Sequence, residues 1–135
     1  MSGRELVREA ILRKAVERIP WVPFVGVHAG NLLGVGADTY LRSSDLVVEG
    51  VAEAIERYGP DGIPVVFDLQ IEAEVLGCSL KWSKDNPPAV ISHPLQEGKK
   101  VENLKVPGSG EGRIPLVMDA ASRLREQYPD VALYG

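Results

Sequence analysis

Cysteine occurs once, at position 78, so no disulfide can form within the chain, and such sparing use fits a reducing compartment. Basic runs are equally scarce. None is longer than a pair such as Lys99-Lys100, and the net charge is −4, which excludes the dense positive patch of a nucleic-acid binder. No apolar run approaches the roughly 18–20 residues that cross a bilayer, so no membrane partner is expected. The opening residues MSGRELVREA carry charges where a secretory signal carries an apolar core. Together these absences place the protein in the cytoplasm. What remains is an ordinary globular composition, 44% hydrophobic and 25% charged, and 135 residues suit one domain or part of one.

Apolar strands alternate with amphipathic helices. Ser2 followed by Glu5 has capping-box spacing, and Leu6, Val7, Ala10, Ile11 and Ala15 share a face, predicting a helix over residues 3–16. WVPFVGV (21–27) reads as a strand shortened by Pro23, and HAGNLLGVGADTY (28–40) as a glycine-rich loop. Ser43 or Ser44 caps a helix whose stripe is Val47, Val48, Val51, Ala52, Ile55 and Tyr58, with Glu53 and Arg57 paired at i,i+4. YGPDG ends it, and a strand over 63–68 follows. Residues 71–82 suggest two extended runs around Gly77-Cys78, a hairpin, and AVIS (89–92) another short strand. The stretch 93–112 is polar and irregular. Pro115 opens a helix over 114–128, with Val117, Ala120, Ala121, Leu124 and Tyr128 buried and Asp119 paired to Arg123. DVALYG begins one more strand. This order predicts an α/β fold with a parallel sheet and crossover helices.

Several side chains carry chemistry. Asp68 ends a buried strand, in GIPVVFDLQ, where an acid either faces a ligand or braces a loop. Glu72 and Glu74, two apart, share a side if the stretch is extended; they are then either an acid–base pair or a solvated face. His28 follows the first strand on the same rim as Asp68 and fits a general acid, a substrate hydrogen bond or a structural role. Asn31 suits either a ligand contact or a turn. Tyr40 and Trp82 suit either stacking on a flat ring or the core. His28, Cys78 and His93 are spaced unlike any local zinc pattern, so no metal site is expected. Glycine-rich dinucleotide and phosphate motifs and a nucleophile elbow are missing.

PWVPFVGVHAGNLLG, YGPDGIPVVFDLQIEAEVLGC and DNPPAVISHPL, in that order, resemble the uroporphyrinogen decarboxylase superfamily, which includes the decarboxylases of haem and porphyrin biosynthesis and the corrinoid-dependent methyltransferases. The resemblance runs through nearly the whole chain. It implies the N-terminal part of a (β/α)8 TIM barrel, about three β/α units with a hairpin insertion, residues 1–135 forming one segment of a larger domain. In the decarboxylases an aspartate at the matching strand end bonds pyrrole N–H groups, a role the resemblance carries to Asp68 as a catalytic residue, with His28 beside it and Asn31, Glu72 and Tyr40 as substrate contacts. The decarboxylases also carry RQAGR, whose arginines grip substrate carboxylates. Here that segment is VHAGN, with Val27 and Asn31 in their places. The methyltransferase branch matches better at IEAEVLG. Its zinc ligands, a His-x-Cys pair and a later Cys, have no counterpart here.

The resemblance therefore implies methyl transfer from a corrinoid to a thiol by a longer parent enzyme. Uroporphyrinogen decarboxylation, a lyase activity, is the alternative, and a non-catalytic domain a third. A tetrapyrrole or corrinoid-type molecule, or a corrinoid protein, is the expected partner. No cofactor is expected in this segment, whereas zinc and a corrinoid are expected in a methyltransferase parent. The isolated chain is expected to be inactive and, with sheet edges uncovered, to self-associate.

Overall fold

A computed structural model describes all 135 residues. Helix α1 spans Gly3–Ile11, and the capping box forms: the Glu5 amide donates to Ser2 Oγ at 3.2 Å and the Ser2 amide to Glu5 Oε2 at 2.8 Å. The helix ends short of the expected residue 16. Leu12 caps it, and Arg13 takes the left-handed conformation with φ 57°, which breaks the helical path before Ala15.

Two short helices follow, α2 (His28–Leu32) and α3 (Ala37–Tyr40), before the long α4 (Ser44–Tyr58). Ser43 caps α4 through the Leu46 amide, and Gly59 ends it at φ 59°, a left-handed cap that suits glycine. Strand β1 spans Gly62–Pro64, α5 Ile71–Val75, β2 Ser79–Lys81 and β3 Ala89–Ser92. A 3-10 turn at Val101–Asn103 precedes α6 (Ile114–Gln127), which leads into β4 (Ala132–Tyr134).

β1 and β4 pair in parallel, Ile63 opposite Leu133, with α6 in the crossover between them. The structure thus contains one parallel strand pair and its crossover helix, not three complete β/α units. The expected strand 21–27 joins no ladder. Trp21 O accepts from the Asp61 amide at 2.9 Å, and Pro23, lacking an N–H, cannot extend the pairing. β1 is also shorter than expected: its backbone pairing reaches only to the Val65 amide, which donates to Tyr134 O. The expected hairpin at 71–82 is replaced by α5 and by a β2–β3 pair. Its second strand is AVIS, and the Pro87-Pro88 loop joins the two strands.

The core lies between the sheet and the helices. Val47, Val48, Val51, Ala54 and Ile55 of α4, Ala120 and Leu124 of α6, and Ile63 and Val65 of the β1 stretch bury one another. The spacing in α4 is the 3.6-residue stripe, and 63 and 65 share a sheet face. α1 sits at the other end of β1, where Gly3 is close enough to Asp61 that a Cβ would lie 2.7 Å from the Asp61 Cα. No helix is long and apolar enough to cross a membrane.

Candidate functional site

β1 runs toward Asp68, and α4 and α6 both begin at that end, because each helix runs back along the sheet to feed the next strand. In parallel α/β folds this is the end where loops build sites. One ion cluster gathers here. Asp68 Oδ1 accepts from the Gln70 amide at 2.9 Å, closing a tight turn ahead of α5. Its Oδ2 accepts from Arg113 Nη1 at 2.6 Å. Arg113 Nε donates to Glu74 Oε2 at 2.6 Å, and Nη1 also reaches Leu41 O at 3.2 Å. The Asp68 side chain is fully buried and that of Arg113 is 10% exposed. Arg113 Nη2 is buried with no hydrogen-bond partner. One guanidinium therefore ties the loop after β1, helix α5, and the ends of α3 and α6.

Trp82, directly after β2, brings an aromatic face to this cluster. The Arg113 guanidinium carbon lies 4.8 Å from its ring centre and that of the exposed Arg42 lies 3.9 Å from it. Trp82 thus serves as partial core and as a cation platform.

The structure redistributes the sequence candidates. Asp68 lies in the loop after β1, four residues past Pro64 and not at the end of the strand, and both its oxygens are engaged within the protein. The shared face expected of Glu72 and Glu74 is corrected: on helix α5, residues 72 and 74 point about 200° apart. Glu74 enters the cluster while Glu72 stays exposed. Tyr40 is corrected as a substrate contact. It is 2% exposed, its ring fills the space above Gly30 and Gly50, and burial pushes its phenol well above the ordinary range. His28 is exposed and its Nε2 lies 2.8 Å from Tyr58 Oη, at the end of α4. Asn31 is exposed on α2. Neither belongs to the Asp68 cluster. Sequence reading missed Arg113 altogether; its signal was a lone arginine directly before the Ile-Pro that starts a helix, 45 residues from its acid.

A second buried acid, Asp61, marks the opposite end of β1. Arg18 forks onto it, Nη1 at 2.6 Å and Nη2 at 2.5 Å, and the Trp21 amide donates at 2.8 Å. The Arg18 bonds, with help from the Trp21 amide, hold the Asp61 carboxyl below the usual carboxylate range. This clamp fastens the segment after α1 to the sheet.

No group of three or more His, Cys, Asp or Glu side chains is arranged to hold a metal ion. His93 Nδ1 accepts from the Gln96 amide at 3.3 Å in its own turn, and Cys78 is half-buried elsewhere. These residues do not fit a zinc site of the His-x-Cys plus Cys kind.

Comparison with known proteins completes the description. The family described as uroporphyrinogen decarboxylase (URO-D) matches residues 2–135. The chain is 28% identical over 132 residues to the methylcobamide:CoM methyltransferase MtbA of Methanosarcina acetivorans, covering 94% of this chain and 39% of that protein. It is 36% identical over 88 residues to a methylated-thiol–coenzyme M methyltransferase of Methanosarcina mazei, covering 63% of this chain and 23% of that one. A solved methyltransferase from Methanosarcina mazei superposes with a TM-score of 0.85 at 23% identity, over 98% of this chain and 41% of its own. The chain spans at most about two-fifths of these relatives.

Proposed function

Because the chain belongs to the uroporphyrinogen decarboxylase (URO-D) family, we propose that it forms part of an enzyme moving a methyl group from a corrinoid to a thiol, built on a (β/α)8 barrel. The observation that carries this reading is the match across 94% of the chain to a protein named as a methylcobamide:CoM methyltransferase. The sequence supports it from another side. Val27 and Asn31 stand where the decarboxylases' carboxylate-gripping arginines belong by resemblance. A polycarboxylate substrate would lose its bidentate partners there.

Within this reading Asp68 acts through Arg113. It is a positioning residue that fixes the loop at the strand end, with Glu74 as the second anchor. Buried, charge-assisted bonds hold such a loop in one geometry, which is what substrate orientation requires. His28 and Asn31, exposed on α2, are the polar groups placed to meet a ligand edge, with His28 Nε2 held 2.8 Å from Tyr58 Oη. Decarboxylation of uroporphyrinogen is the second reading, favoured by the family's own description. The 135 residues, which span about two-fifths of the relatives, carry neither activity on their own.

The test replaces the matching segment of the Methanosarcina mazei methyltransferase with residues 2–135. The chimera is assayed with methylcobalamin plus a thiol, and separately with uroporphyrinogen. Methyl transfer supports the proposal; a folded chimera that only decarboxylates uroporphyrinogen refutes it.

A further inference from the structure

Pro94 and Arg113 are buried, and no residue between them is. Every hydrogen bond made by residues 95–112 stays within residues 93–114, in local turns such as the Lys99 amide to Pro94 O at 2.9 Å and the Gly108 amide to Glu111 Oε1 at 3.1 Å. Its charged side chains, Glu97, Lys99, Lys100, Glu102, Lys105 and Glu111, form no ion pair. Segments tied so little to the fold are the ones that move at small cost. Both ends are nevertheless pinned, and to one place. A Cβ on Gly77 would lie 3.1 Å from Pro94 Cγ, and one on Gly112 2.5 Å from Val75 Cγ2, so the stretch leaves and rejoins the fold at the end of α5. Near those ends, Gly98 takes φ 88° and Gly112 φ 55°. At Gly98 and Gly110 no atom lies within 4 Å of a Cβ position, so packing does not demand glycine there; backbone freedom does. Two apolar groups lie uncovered within reach of each other. Val106 of the stretch is 94% exposed, and Leu69, between Asp68 and Gln70, is 73% exposed. α5 has five residues and is about 8 Å long, which sets Leu69 near the anchor. The chain from Val106 to Gly112 can span about 20 Å.

We infer that residues 95–112 are a hinged strap that closes over the loop after β1, turning at Gly98 and at glycines 108, 110 and 112, and seating Val106 on Leu69. Closure takes both apolar side chains out of water. It also covers the Asp68–Arg113–Glu74 cluster, whose most exposed member is Glu74, with 30% of its side chain open. That cluster holds two carboxylates against one guanidinium, so Lys105, next to Val106 and without an ion pair, is drawn to the same place. Segments that close over such loops exclude water and gate the exchange of ligands. The inference uses contacts within this chain alone and does not rest on the reaction proposed above, so its test reads the motion directly.

In a Cys78→Ser background, Leu69→Cys and Val106→Cys are introduced together, both at exposed positions. A disulfide needs the two Cα atoms within about 7 Å, so its rate of formation reports how often the strap reaches the loop. With oxidised glutathione at low protein concentration, the intramolecular bond should form at least 10-fold faster than in the control pair Ile11→Cys/Val106→Cys. Ile11 is 76% exposed, on α1 at the other end of β1. Adding Lys105→Glu to the first pair should slow the reaction about 3-fold, the worth of one exposed charge contact. Hydrogen exchange supplies a second reading on the unsubstituted chain: amides of residues 99–111 should exchange within about 10-fold of the unfolded rate, while those of α6 are protected. Equal cross-linking rates in the two pairs, a rate unmoved by Lys105→Glu, or protection of residues 99–111 equal to that of α6 overturns the inference.

Discussion

Arg113 Nη1 donates to Asp68 Oδ2 at 2.6 Å, joining the start of α6 to the loop after β1 across 45 residues of sequence. Glu74 holds the same guanidinium through Nε. The acid in the loop after the strand is thereby a structural anchor of the rim, and it works through an arginine.

Breaking this buried pair from one side leaves a charge without compensation. Arg113→Ala should lower stability by about 3–5 kcal/mol. The double variant Asp68→Leu/Arg113→Met removes both charges and should lose clearly less than Arg113→Ala. Urea unfolding of the variants measures the difference; equal losses would show that the ion pair is not the determinant.

The two acids of α5 should separate cleanly. Glu74→Ala removes a charged hydrogen bond from a partly exposed site and should cost about 1 kcal/mol. Glu72→Ala should change stability by less than about 0.5 kcal/mol. Chemical denaturation of both variants checks the helical geometry, since an extended segment would give the two residues similar effects.

Gly50 tests the packing of α4 on α2. A Cβ there would meet Tyr40 Cε2 at 2.8 Å and Ala29 O at 2.9 Å. Alanine improves helix propensity by about 1 kcal/mol. Overpacking against a backbone oxygen costs about 1–3 kcal/mol. Gly50→Ala should therefore be a net loss, read as a lowered Tm.

Asp61 predicts the acid limb of stability. Its folded pKa is depressed, chiefly by the Arg18 hydrogen bonds. Its contribution is fully present above the unfolded value, about 3.9. It is lost as pH falls below that value and through the lower folded one. Asp61→Asn should flatten the fall in stability below about pH 4. An unchanged acid limb in urea titrations at several pH values would remove Asp61 from the account.

Local signals in the sequence were faithful where local physics decides. The capping box at Ser2, Pro115 at the start of α6 and the i,i+4 pairs Glu53–Arg57 and Asp119–Arg123 all form, and the stripe of α4 forms at Val47, Val48, Val51 and Ile55, with Ala54 buried and Tyr58 exposed. Errors arose where tertiary context decides. IEAEV has strand-like alternation, yet a helix lets Glu74 turn inward to Arg113 and leaves Glu72 in water. WVPFVGV is apolar enough for a strand, but Pro23 and the single bond from Asp61 keep it out of the ladder. The site was half legible. Asp68 stood out as an acid at a strand end, whereas Arg113 lay in a turn-rich stretch with no local sign of a partner 45 residues away.

The chimera bearing residues 2–135 in the Methanosarcina mazei methyltransferase tests the central claim most directly, by methyl transfer from methylcobalamin to a thiol. The account predicts turnover in the chimera and none in the isolated 135 residues. A well-folded chimera that leaves methylcobalamin untouched while decarboxylating uroporphyrinogen would contradict it.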